Sequence, residues 1–106
     1  MTTLKLMVLY PVPSDVEQFE KDYAEHLALF HKKMGVPIDQ KPYTVTKMHS
    51  DPSNPAPYYQ MFSMPFASKE ALDEVLGSAQ MADVAADAGR ISTGGAPVML
   101  VGSDTE

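Results

Sequence analysis

The sequence predicts an α+β domain of element order β-α-β-β-α-β, with a four-stranded antiparallel sheet and both helical layers on one face. Three observations predict it. Short apolar runs of strand length alternate with stretches whose apolar residues recur every three or four positions. Serines, glycines and prolines stand at the ends of these runs, where they start or stop regular structure. The chain has 106 residues, 44% hydrophobic and 21% charged, which suits one globular domain spanning residues 1–106.

Leu4 to Tyr10 is a short apolar run ended by Pro11 and Pro13, and it reads as a strand. Ser14-Asp15-Val16-Glu17 has the spacing of a capping box, with Ser14 as the cap. Val16, Phe19, Tyr23, Leu27, Phe30 and Met34 then fall on one stripe, which predicts a helix over 15–34. Gly35 suits the left-handed residue after a helix, and Pro37 prevents continuation. Pro42 to His49 reads as a second strand, Ser50 to Pro57 as a loop, and Tyr58 to Phe66 as a third strand. Ser68 caps a helix whose apolar face is Leu72, Val75 and Leu76. Gly77-Ser78 interrupts it, and a second helical piece runs from about Ala79 to Ala88. Gly94-Gly95 turns the chain into a last strand, Pro97 to Val101, and residues 102–106 form a flexible acidic tail. This order is the split βαβ, or ferredoxin-like, arrangement.

A sheet covered on one face should alternate apolar and polar residues. These strands do not. The first carries Leu4, Leu6, Val8 and Tyr10 on one side and Met7 and Leu9 on the other. The third puts Tyr59 and Met61 on one side, and Tyr58, Phe62, Met64 and Phe66 on the other. The fourth is apolar on both sides. The helices cover one face, so a second copy of the chain is expected to cover the other, as a homodimer through the open sheet face.

Composition narrows the function. The net charge is −6, and the eight Lys and Arg residues are scattered, which argues against nucleic acid and anionic membranes as partners. No cysteine is present, so disulfides, thiolate metal sites and a cysteine nucleophile are excluded. The N-terminus lacks signal-peptide character and no run reaches the length of a membrane span, so a cytoplasmic protein is expected. No phosphate loop, Gly-x-Ser-x-Gly elbow, His-Glu-x-x-His or dinucleotide motif occurs.

The histidines are the residues best suited to proton chemistry. His26 lies about 20° from Phe19 on the helical wheel, at the edge of the buried stripe, next to Tyr23 and Phe30. His31 lies about 140° further round, so the two cannot share a metal from that helix. His49 ends the second strand. Three dispersed histidines with no carboxylate at ligand spacing give no metal expectation. Asp83, Asp87 and the other carboxylates fit a solvated helix face. Strand tyrosines, Tyr10 among them, fit packing roles with one polar tip. Eight methionines suit an adaptable apolar cavity or plain core filling.

Val8-Leu9-Tyr10-Pro11 followed by Phe19-x-x-x-Tyr23-x-x-His26 resembles the opening of EthD-family proteins, named for ethyl tert-butyl ether degradation. The ending is similar too: Phe66-x-Ser68-x-Glu70-Ala71-Leu72, then Ala86-Asp87, then Gly94-Gly95 before the last strand. One departure stands out. The family's His-Val-Pro-Leu is here His26-Leu27-Ala28-Leu29, without the proline. The resemblance implies a dimeric α/β barrel, in which two ferredoxin-like sheets pack face to face. Related barrels include monooxygenases, lactone isomerases, dehydratases and haem-binding members, so the likeness implies a cavity and not one reaction. It also implies that His26 is the functional helix histidine.

The expected function is a cofactor-independent small-molecule enzyme, or accessory protein, in catabolism of a hydrophobic compound. His26 would be catalytic, and Tyr10, Tyr23, Phe30, His49, Met61 and Phe62 would bind a small apolar ligand. A non-catalytic ligand-binding protein and a haem-binding barrel are the alternatives.

Overall fold

The structure, a computed structural model, describes residues 4–103. The elements are β1 (Leu4–Pro11), α1 (Val16–Met34), β2 (Thr44–Lys47), β3 (Tyr58–Phe66), α2 (Lys69–Leu76), α3 (Ala79–Ile91) and β4 (Val98–Ser103). They form one four-stranded antiparallel sheet in the order β2-β3-β1-β4, the ferredoxin-like arrangement.

The ends of the elements refine the sequence expectations. Asp15, not Ser14, caps α1: its carboxylate accepts from the Gln18 N–H at 3.1 Å. The capping box does not form, because the Ser14 N–H turns to Thr93 Oγ1 at 3.2 Å. Gly35 closes α1 at φ 68°, the left-handed conformation, and donates to the His31 carbonyl. Without a proline after His26, α1 runs unbroken for 19 residues. Ser68 and Ser78 cap α2 and α3 through hydrogen bonds from Ala71 and Met81. α3 continues past Ala88 to the fully buried Ile91. β2 is shorter than expected and stops at Lys47, leaving His49 in the following loop. β4 continues through Gly102 and Ser103, which pair with Lys5 and Leu4, so these two are strand and not tail. The rest of the expected tail lies outside the described residues.

The helices cover Leu6, Val8 and Tyr10 of β1 and Gln60, Phe62 and Met64 of β3. An aromatic core runs along α1: Phe19 stacks on Tyr23, both meet Tyr10 edge-on, and Phe30 contacts Phe62 and Tyr43. One irregularity changes which residues face it. Tyr10 pairs with Gln60 but Pro11 pairs with Tyr58, so Tyr59 is an extra residue in a β-bulge. The bulge turns Tyr59 from the open face to the helix face, where its ring meets Phe19 and its hydroxyl donates to Glu20. Glu20 also pairs with Lys47 at 2.8 Å, tying α1 to the sheet edge.

The other face carries Met7, Leu9, Met61, Val98 and Leu100, with no element of the described residues above it. Gly94 is required for the β4 approach: a Cβ there would lie 1.8 Å from the Val12 carbonyl oxygen.

Candidate active site

α1 and α3 cross the helix face of the sheet side by side, and the space between them and the β1–β4 half is a cavity of about 70 Å³. Its walls are mainly apolar, with Leu6, Val8, Phe30, Phe62, Met81 and Val84 among them. The small side chains of Ala85 and Ala88 on α3 leave the space open. Two polar side chains line it, His26 from α1 and Tyr10 from β1.

His26 is buried. Its Nδ1 lies 2.8 Å from Asp87 Oδ2 on α3. A carboxylate can only accept, so Nδ1 carries the proton and donates. Nε2 is left as an sp² lone pair, with no hydrogen-bond partner among the described residues. The second Asp87 oxygen accepts from Arg90 Nε at 2.7 Å. The result is a chain of charge-assisted hydrogen bonds, Arg90–Asp87–His26, leading from the surface to the cavity.

The electrostatics suit a neutral base. Burial pushes the His26 pKa below its ordinary value, outweighing the Asp87 carboxylate, which acts in the opposite direction. For Asp87, burial works to raise the pKa, but hydrogen bonds from Arg90 and His26 and their charges outweigh it and hold it low. At neutral pH the imidazole is therefore uncharged and the carboxylate ionised. Asp87 fixes the tautomer and stabilises the imidazolium formed when Nε2 takes a proton. Burial, reinforced by the Asp87 charge, pushes the Tyr10 phenol up, so it remains a proton donor. Among the described residues no Ser, Thr, Cys, Lys or Arg lines the cavity, so they offer no hydroxyl, thiol or amine nucleophile of those types and no cation for an anionic ligand.

The residues singled out in the sequence divide accordingly. His26, Tyr10, Phe30 and Phe62 line the cavity. Tyr23 is buried behind the wall, against Tyr10, Phe19 and His26. Met61 points to the opposite face of the sheet, because it alternates with the buried Gln60 and Phe62. His49 is exposed in the β2–β3 loop, away from the cavity. His31 is buried in a structural role, donating from Nδ1 to the Val36 carbonyl at 3.2 Å and accepting at Nε2 from Tyr43 Oη at 2.7 Å. The three histidines do not converge, and no cluster of three or more His, Cys, Asp or Glu suited to a metal occurs among the described residues. Asp87 overturns its assignment to a solvated helix face. It sits 61 residues from His26, too far for local spacing to reveal the pair; the only sequence signal was the Ala86-Asp87 step in the EthD resemblance.

Known structures share this fold. An EthD-family protein from Bacillus halodurans C-125 superposes with a TM-score of 0.79 at 22% identity, covering 97% of this chain and 99% of that one. A dimeric ferredoxin-like protein of unknown function from Jannaschia sp. CCS1 gives 0.66 at 13% identity, covering 95% and 97%. A candidate antibiotic biosynthesis monooxygenase from Caulobacter crescentus CB15 gives 0.58 at 21% identity, covering 99% and 91%. No protein-family model and no curated protein matches the sequence. At these identities the likeness establishes the ferredoxin-like fold, consistent with the EthD resemblance. No described helix is long and apolar enough to cross a membrane.

Proposed function

We propose that this protein is a small-molecule enzyme that moves a proton on a neutral, largely apolar compound, with His26 as the general base and Tyr10 as a proton donor. The carrying observation is the His26–Asp87 pair at 2.8 Å beside an apolar cavity, with Nε2 unpartnered among the described residues. Proton transfer between two side chains needs no metal or organic cofactor, which suits isomerase- or dehydratase-type chemistry in the breakdown of a hydrophobic compound. The cavity volume of about 70 Å³ argues against a haem. The working form is a homodimer through the open sheet face. Its apolar residues support that reading, as does the dimeric state of the Jannaschia relative of the same fold.

A generic base probe tests the catalytic role. 5-Nitrobenzisoxazole is neutral and aromatic, and it opens on loss of one ring proton. The wild-type protein is expected to accelerate its opening, with the rate rising through the His26 titration, and His26→Gln to abolish the acceleration. Equal rates for wild type and variant would remove His26 as a base and leave a ligand-binding protein with the same cavity.

A further inference from the structure

The His26 cavity meets solvent along β4, and the strand register locates the opening. Met99 pairs across the sheet with Val8, and Val101 with Leu6. Directly opposed residues share a face, so Met99 and Val101 lie on the helix side of the sheet. Leu6 and Val8 are buried there, yet Met99 is 47% and Val101 51% exposed. The helix layer therefore covers β1 and stops short of β4. Among the residues that line the cavity, Ala85 on α3 and Met99 on β4 are exposed, while Tyr10 and His26 are buried. The mouth thus lies between α3 and β4, with the proton-transfer groups at depth. Val98 and Leu100 alternate with Met99 and point to the opposite face, so the mouth is separate from the face proposed for dimerisation.

The two sides of the mouth differ in chemistry. Ala85 has no side-chain torsion that could close the gap, so its side is fixed. Pro97, which lines the cavity just before β4, has a locked φ and holds the start of the strand. Met99 is unbranched, with three rotatable bonds and a soft thioether. Its exposed side has no packing to hold one rotamer, so it can swing across the mouth or away from it. A guest bound for His26 Nε2 passes one fixed wall and one adjustable wall. Resting on the proposed function, we infer that Met99 is the specificity-determining residue of the His26 site: with Ala85 it frames the entrance between α3 and β4, and its side chain sets the largest apolar cross-section that reaches the base.

The test measures entry of benzene and naphthalene by NMR line shapes of the Met81 methyl group, which lies buried in the cavity wall. Wild-type protein is compared with Met99→Ala, Ala85→Phe and, as a control, Ala86→Phe, at an exposed neighbouring position outside the lining. Thermal melting verifies that all three variants fold. Met99→Ala is expected to speed naphthalene entry about ten-fold with a smaller effect on benzene, and Ala85→Phe to slow benzene about ten-fold. Ala86→Phe should behave as wild type. Entry rates unchanged in both Met99→Ala and Ala85→Phe, or slowed equally by Ala86→Phe, would overturn the entrance and leave the His26 base standing. Altered entry together with a benzisoxazole reaction indifferent to His26→Gln would uphold the entrance and remove the base. Failure of both probes to reach Met81 in the wild type would overturn both readings.

Discussion

Asp87 Oδ2 lies 2.8 Å from His26 Nδ1 across the α1–α3 contact, and this one bond turns a buried helix histidine into an oriented base. The His26 side chain is 7% exposed and that of Asp87 16%, so water competes little for either. Replacing Asp87 with Asn removes the charge that favours imidazolium, leaving burial to act alone. The His26 pKa is expected to fall further in Asp87→Asn, and with it the pH at which base activity begins. A titration of the His26 ring by NMR checks this; an unchanged value would mean that the carboxylate does not couple to the ring.

The same pair makes stability depend on pH. The folded His26 pKa is depressed below its ordinary 6.5, so the unfolded chain binds more protons between those two values. The contribution is present in full above 6.5 and is lost as pH falls through the folded value. Asp87 behaves alike in a more acid range: its contribution is present above 3.8 and is lost below. Urea unfolding across this range is expected to show stability rising with pH up to 6.5 in the wild type, and a flatter course in His26→Gln. Parallel curves would show that His26 titrates normally in the folded protein.

His31 Nε2 accepts from Tyr43 Oη at 2.7 Å while Nδ1 holds the Val36 carbonyl, so one ring joins the end of α1 to the approach to β2. Tyr43→Phe leaves that buried nitrogen unpaired and is expected to cost about 1–3 kcal/mol. Chemical denaturation measures the loss directly, and a change near zero would place water at the nitrogen.

Gly94 has no room for a methyl group, because its Cβ would stand 1.8 Å from the Val12 carbonyl oxygen. Both atoms belong to backbone, so β4 must move away from the chain after β1. Gly94→Ala is expected to destabilise by at least about 2 kcal/mol, a drop of roughly 8 °C or more in Tm. A normal melting temperature would show that the Gly94–Val12 approach relaxes freely.

Leu100 is 47% exposed on the open sheet face, opposite Met7 of β1. In a single chain Leu100→Glu should be nearly neutral, since the side chain already meets solvent. In a face-to-face dimer it buries charge against charge across the two-fold axis. Sedimentation is expected to show a wild-type dimer and a folded Leu100→Glu monomer; a monomeric wild type would remove the dimer proposal.

What the sequence determined by itself is local. Apolar period, strand-length runs and Gly/Pro punctuation act over a few residues, so the order of elements could be read from them. Gly35 as a left-handed cap, Ser68 as an N-cap and the Gly77-Ser78 break all stand where the pattern put them. His26 on the buried edge of α1 followed from the same arithmetic. The tertiary structure decided what depends on distant partners. It chose Asp15 over Ser14 as the cap, because Thr93 claims the Ser14 backbone. It placed the bulge that turns Tyr59 to the helices and left Met61 on the other face. It brought Asp87 to His26 from a separate helix. A periodic pattern says which side of a helix is buried, while the partner it meets there is set only when the helices and sheet pack.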